Sequence, residues 1–146
     1  MNDYEKWYEA GGLCPTPPDM ETRLEAGEYI IPLSTWRKPI IYIIGPVSGI
    51  KDDNRPAFET MRERLQSELP DCSIRIPHDY VPTGCEWGKA MRISIREMTY
   101  ADCVVALDGT FSSKGASCER DTCTRIGIPL FDERITSIEQ IKEAIL

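Results

Sequence analysis

The chain has 146 residues, 41% of them hydrophobic and 28% charged, with a net charge of −7. That length gives one domain with a full hydrophobic core and no need of disulfide or metal staples. The acidic balance excludes general nucleic-acid binding, which requires a basic face, while leaving room for a local anion site made of backbone amides.

Residues 1–39 carry Pro15, Pro17, Pro18, Pro32, Pro39 and the Gly11-Gly12 pair, without a sustained period. They read as an irregular N-terminal extension that lies over the domain or over a partner subunit, anchored by Trp7, Tyr8 and Trp36. The opening MNDYEKWYEAGG is acidic and aromatic, unlike a secretory signal. The longest apolar run, around Ile40–Ile44, is too short to span a bilayer. Neither membrane attachment nor export is expected, and the location expected is cytoplasmic. Cysteines 14, 72, 85, 103, 118 and 123 form no CxxC pair and there is a single histidine. They read as free thiols serving as small hydrophobes, with no metal site and no cofactor.

The domain proper is expected over residues 40–146. PIIYIIG, bounded by Pro39 and Gly45, is β-branched and aromatic, as a strand buried on both faces should be. NRPAFETMRERLQSEL follows as a helix with a stripe of Ala57, Met61, Leu65 and Leu69, Asn54 as its N-cap and Pro56 in its first turn. CSIRIP is a second strand, and EWGKAMRISIREMTY a second helix with Met91, Ile95 and Met98 on one side. ADCVVALDG is a third strand, and GASCERDTCTRIG a third helix ended by Gly127. IPLF is a fourth strand, and SIEQIKEAIL a closing helix with Ser137 and Gln140 spaced as a capping box. This alternation predicts an α/β fold: a flavodoxin- or Rossmann-like parallel sheet of four to five strands with helices on both faces.

In such sheets ligands bind beyond the carboxyl ends of the strands, which points to three loops: 45–53, 78–84 and 108–115. The first, GPVSGIKDDN, offers Gly45, Pro46, Ser48 and Gly49. It could cradle a phosphate, although it is neither GxGxxG nor a Walker motif, and a tight strand-to-helix turn explains it as well. The third places Ser112, Ser113 and Gly115 before a helix N-terminus, where free N–H groups can bind an anion. Glu119 sits one turn inside. It is either a solvated or capping carboxylate, as most helix glutamates are, or a nucleophile for retaining glycosyl transfer.

The order IYIIGPVSG, NRPAFETMRERL, then ADCVVALDGTFSSKGASCERDTCTRIGIPLF resembles the DUF4406 group of the nucleoside 2-deoxyribosyltransferase-like superfamily. The resemblance covers about residues 40–131, and the spacing from Ser113 through Gly115-Ala116 to Glu119 agrees residue for residue. It implies a flavodoxin-like fold and cleavage or transfer at the N-glycosidic bond of a nucleoside or a deoxynucleoside 5′-monophosphate. It implies Glu119 as nucleophile, Tyr42 as the tyrosine that orients it, and Gly45, Ser48, Gly49 and Ser113 as phosphate contacts. It also implies a homodimer or larger homo-oligomer whose sites a neighbouring subunit completes.

One position departs from the superfamily. An aspartate common on the second helix, eight residues before the strand-opening Asp102, is here Ser94. Serine is no acid near neutral pH. Glu97, three residues on along the same helical face, and His78 and Asp79 in the second loop are candidate replacements; His78 alone could equally be structural. Alongside the enzyme reading stand a nucleotide-derivative binding or sensing module that has lost catalysis, and a purely structural role using the extension.

Overall fold

The computed structural model describes residues 38–145. The extension read over 1–39 therefore lies outside the described residues except for Lys38 and Pro39, and Lys38–Leu146 form one compact unit. Four strands build the sheet: β1 (Ile40–Ile44), β2 (Ser73–Arg75), β3 (Cys103–Ala106) and β4 (Leu130–Asp132). Their order is β2-β1-β3-β4 and every pairing is parallel. Asp102 fixes the entry of β3 beside β1, its Oδ2 accepting from the Ile40 amide at 2.7 Å.

Four helices link and cover the strands: α1 (Arg55–Glu68), α2 (Trp87–Met98), α3 (Lys114–Ile126) and α4 (Ile138–Ile145). Side-chain alternation along β1 divides the core in two. Ile41 and Ile43 pack with Phe58, Met61 and Leu65 of α1 and with Ile138 and Ile141 of α4. Tyr42 and Ile44 face the other way, toward Met98 of α2 and Cys123 of α3. Helices thus cover both faces, as right-handed crossovers require when the chain first moves outward from β1 to β2 and then reverses to β3.

Several local expectations are met. Gly127 closes α3 in the left-handed conformation at φ 79°. The Ser137–Gln140 capping box forms, the Ser137 amide donating to Gln140 Oε1 at 2.8 Å and the Gln140 amide to Ser137 Oγ at 3.3 Å. Two differ. The buried stripe of α1 begins at Phe58, while Ala57 is exposed, because a ring fills the space against the sheet better than a methyl group. Asn54 holds the N-cap position of α1, yet its side chain gives that helix no hydrogen bond. Its Nδ2 donates instead to the Pro46 carbonyl at 2.8 Å, tying the first loop to itself. Among the described residues Cys72, Cys85, Cys103, Cys118 and Cys123 are free thiols, with 72, 103 and 123 buried. No helix among them is long and apolar enough to cross a membrane.

Candidate functional site

On α3 the residues turned toward the sheet are Ala116, Glu119 and Cys123; on α2 they include Ser94 and Met98. A carboxylate and a hydroxyl therefore occupy positions that helical geometry assigns to the core. Tyr42, on the face of β1 that these two helices cover, brings a third polar group. The trio is joined in series. Tyr42 Oη lies 2.8 Å from Ser94 Oγ, and the Ser94 hydroxyl donates to Glu119 Oε1. All three are buried, with 0%, 4% and 5% of Tyr42, Ser94 and Glu119 exposed. The expected pairing of Tyr42 with Glu119 thus runs through Ser94.

Burial governs the electrostatics, since it disfavours the charged form of an acid. It pushes Glu119 up to about 7, against the opposing hydrogen bond from Ser94. Tyr42 is pushed far above the ordinary tyrosine range, by burial first and by the Glu119 charge second, so its hydroxyl keeps its proton.

Glu119 and Ser94 open onto a cleft of about 100 Å³ to which all three loops contribute. Gly45 and Val47 come from the first, His78 and Val81–Thr83 from the second, and Ser113, Gly115 and Ala116 from the third and the start of α3. The cleft lies beyond the ends of β1 and β3, where the strand order reverses, as doubly wound sheets dictate.

The second loop is tied to the first. His78 Nε2 is 2.7 Å from the Asp53 carbonyl oxygen. A carbonyl only accepts, so Nε2 carries the proton. The ring meets Phe58 edge-on, with centroids 4.7 Å apart, and Nδ1 is buried without a partner among the described residues. Asp79 is committed to structure, accepting from the Ile76 amide at 3.2 Å and from Arg62 at 2.7 Å. At the end of the first loop Asp52, Asp53 and Asn54 all adopt positive φ, from 53° to 56°, a conformation Asp and Asn tolerate better than other side chains.

The other expected site residues divide. Ser113 lines the cleft and also caps α3, its Oγ accepting from the Ala116 amide at 3.2 Å. Gly45 and Gly115 line it too; crowding is enough to explain the smallness of Gly45, whereas the neighbour of Gly115 is a flexible thioether. A Cβ on Gly45 would meet Leu107 Cβ at 2.9 Å, and one on Gly115 would meet Met91 Sδ at 3.0 Å. Pro46, Ser48, Gly49 and Ser112 lie outside the lining; Ser48 and Gly49 are exposed, and the Ser112 hydroxyl donates to the Gly109 carbonyl at 3.1 Å. Glu97 is also outside it, its Oε1 3.1 Å from Arg96.

Sequence reading missed Asp53, Arg55 and Met91, all of which line the cleft. Arg55 had a signal: it opens α1, where a cation opposes the helix dipole. Among the described residues no group of three or more His, Cys, Asp or Glu side chains could hold a metal ion.

No curated protein matches this chain. The family model of DUF4406, described as a domain of unknown function, matches residues 39–132. That span contains the whole sheet, the three loops, Tyr42, Ser94 and Glu119, and it makes up well over half of the sequence. The chain belongs to the DUF4406 family.

Proposed function

We propose that this protein cleaves or transfers at the N-glycosidic bond of a nucleoside or nucleoside 5′-monophosphate, with Glu119 as the nucleophile. The observation that carries this reading is the Glu119 carboxylate, buried yet on the cleft wall and linked through a hydroxyl to Tyr42. A solvated or capping glutamate would have neither the burial nor the partners. The resemblance to nucleoside 2-deoxyribosyltransferase-like enzymes supplies the substrate class. Arg55 on the cleft lining suits an anionic end of the substrate, such as a 5′-phosphate.

In the first step a Glu119 oxygen bonds to C1′ as the N-glycosidic bond breaks. The bonding pair leaves with the base nitrogen, which takes up a proton. In the second step water, or the nitrogen of another base, attacks C1′ and gives up a proton to solvent as the bond from C1′ to Glu119 breaks and frees the carboxylate. Water makes the protein a hydrolase; a base makes it a transferase. The same resemblance supports a homodimer or larger assembly.

A second reading, ligand binding without cleavage, is favoured by one observation: Ser94 holds a buried position on the cleft wall where the superfamily commonly supplies an acid. Incubation with a panel of nucleosides and their 5′-monophosphates, followed chromatographically for free base, separates the two. Base release that disappears in Glu119→Ala is the expected result. Release undiminished in that variant would end the nucleophile assignment, and calorimetric binding without release would establish the second reading.

A further inference from the structure

Ser94 lies between two groups whose hydrogen-bonding options are restricted. An ionised Glu119 carboxylate can only accept, and the single Ser94 proton is directed to it. The Ser94 oxygen then has only lone pairs to offer Tyr42, so the tyrosine must be the donor across their 2.8 Å contact. The chain of donors has one direction, from Tyr42 to Ser94 to Glu119, and no member is free to rotate into solvent because all three are buried. Ser94 engages Oε1 of the carboxylate, which leaves Oε2 for the reacting carbon. We propose that Ser94 is a positioning residue: its hydroxyl holds the Glu119 carboxylate so that the same oxygen always faces C1′, and by donating to that carboxylate it favours the ionised form over the protonated one. This rests on the nucleophile reading of Glu119.

In this structure the hydroxyl at position 94 satisfies both of its buried neighbours. Alanine would leave Oε1 without the hydrogen bond from Ser94 and Tyr42 Oη without its acceptor, both in a buried setting where unmade hydrogen bonds are penalised. Aspartate would put a second carboxylate against the first, and two such groups share a proton instead of both ionising. Tyr42 from β1 and Cys123 from its own helix interact with Glu119, and Glu97 of α2 and Tyr80 of the second loop act on Tyr42. Asp53, Arg55 and His78 share the cleft with Glu119, but burial and the Ser94 hydrogen bond are what set its ionisation. Against burial, the Ser94 hydrogen bond is the interaction that favours the charged form.

The test compares wild type with Ser94→Ala, Ser94→Cys and Ser94→Thr, using the best substrate from the panel. Losing one hydrogen bond to a charged group should lower kcat in Ser94→Ala by roughly tenfold to a hundredfold, with KM changed less than about twofold. The acid limb of the pH profile should move to higher pH by about one pH unit, equivalent to a tenfold shift in the proton equilibrium. Ser94→Cys, similar in size but a weak donor, should follow alanine, and Ser94→Thr should recover most of the activity. A second readout needs no turnover: the titration midpoint of the Glu119 carboxyl, followed by carbon-13 NMR, should rise in Ser94→Ala and return in Ser94→Thr. An unchanged midpoint in folded Ser94→Ala and Ser94→Cys would overturn the proposal, as would a threonine variant no better than alanine. Should wild type release no base from any panel member, the enzyme reading alone would fall, and the NMR comparison would still decide the role of Ser94.

Discussion

Glu119 stands where its helix would ordinarily place a small apolar side chain, one turn after Ala116 and one turn before Cys123. Its carboxyl, raised to about 7 by burial, is poorly suited to a passive role, because a half-ionised acid in a dry setting responds to anything that enters the cleft. A nucleophile must be ionised, so base release should climb about tenfold per pH unit below about 7 and level off above it. Rate measurements from pH 5 to 9 check this, and a rate that falls across the same range would instead assign Glu119 as a proton donor. Glu119→Gln keeps the shape and the bond from Ser94, yet should abolish release at every pH. His78 differs in kind. Its Nε2 proton is already directed at the Asp53 carbonyl, so the ring first of all pins the first loop to the second.

At the scale of elements, glycines that look alike in sequence have different reasons to be glycine. Gly45 ends β1 against the Cβ of Leu107, an atom that cannot move without the backbone. Gly115 opens α3 against the thioether of Met91, the far end of a flexible side chain. Gly45→Ala should therefore lower stability by about 1–3 kcal/mol through overpacking. Gly115→Ala should change it by less than about 1 kcal/mol, since the gain in helix propensity offsets a small shift of Met91. Urea denaturation of both variants checks the contrast, and equal losses would mean that Met91 is as rigid as the strand. Asn54 stands at the expected N-cap of α1, but its side chain does not cap that helix. Its side-chain amide nitrogen is instead held by the Pro46 carbonyl, in a turn whose path only the folded loop defines.

For the whole molecule, the sheet separates a purely apolar layer under α1 and α4 from a layer under α2 and α3 that includes the polar trio. The second layer is where stability is given up. Glu119 has a folded-state value of about 7, above the ordinary 4.5, so the folded protein binds more protons than the unfolded chain between those limits. Its protonated form contributes stability that is fully present below about pH 4.5 and lost as pH rises through about 7, to a total of roughly 3 kcal/mol. Glu119→Gln should remove that dependence and melt at higher temperature than wild type at pH 8, the two converging near pH 4.5. Calorimetry at both pH values checks it, and a variant less stable at pH 8 would contradict the sign. Much of this architecture was legible from residue order alone. Apolar runs such as IIYII and CVVA, helical stripes, and Gly127 with the Ser137–Gln140 pair fixed the alternation, and parallel strands with right-handed crossovers leave few ways to arrange it. Glu119 was conspicuous for its motif order. What periodicity could not supply was which distant side chains meet. Ser94 is 52 residues from Tyr42 and 25 from Glu119, so sequence marked it as a missing acid while the fold makes it the link between the two. The retreat of Ser48 and Gly49 from the cleft and the arrival of Arg55 were decided in the same way. Local pattern sets the path of each element, but the atoms at a site are chosen by the packing of several elements at once.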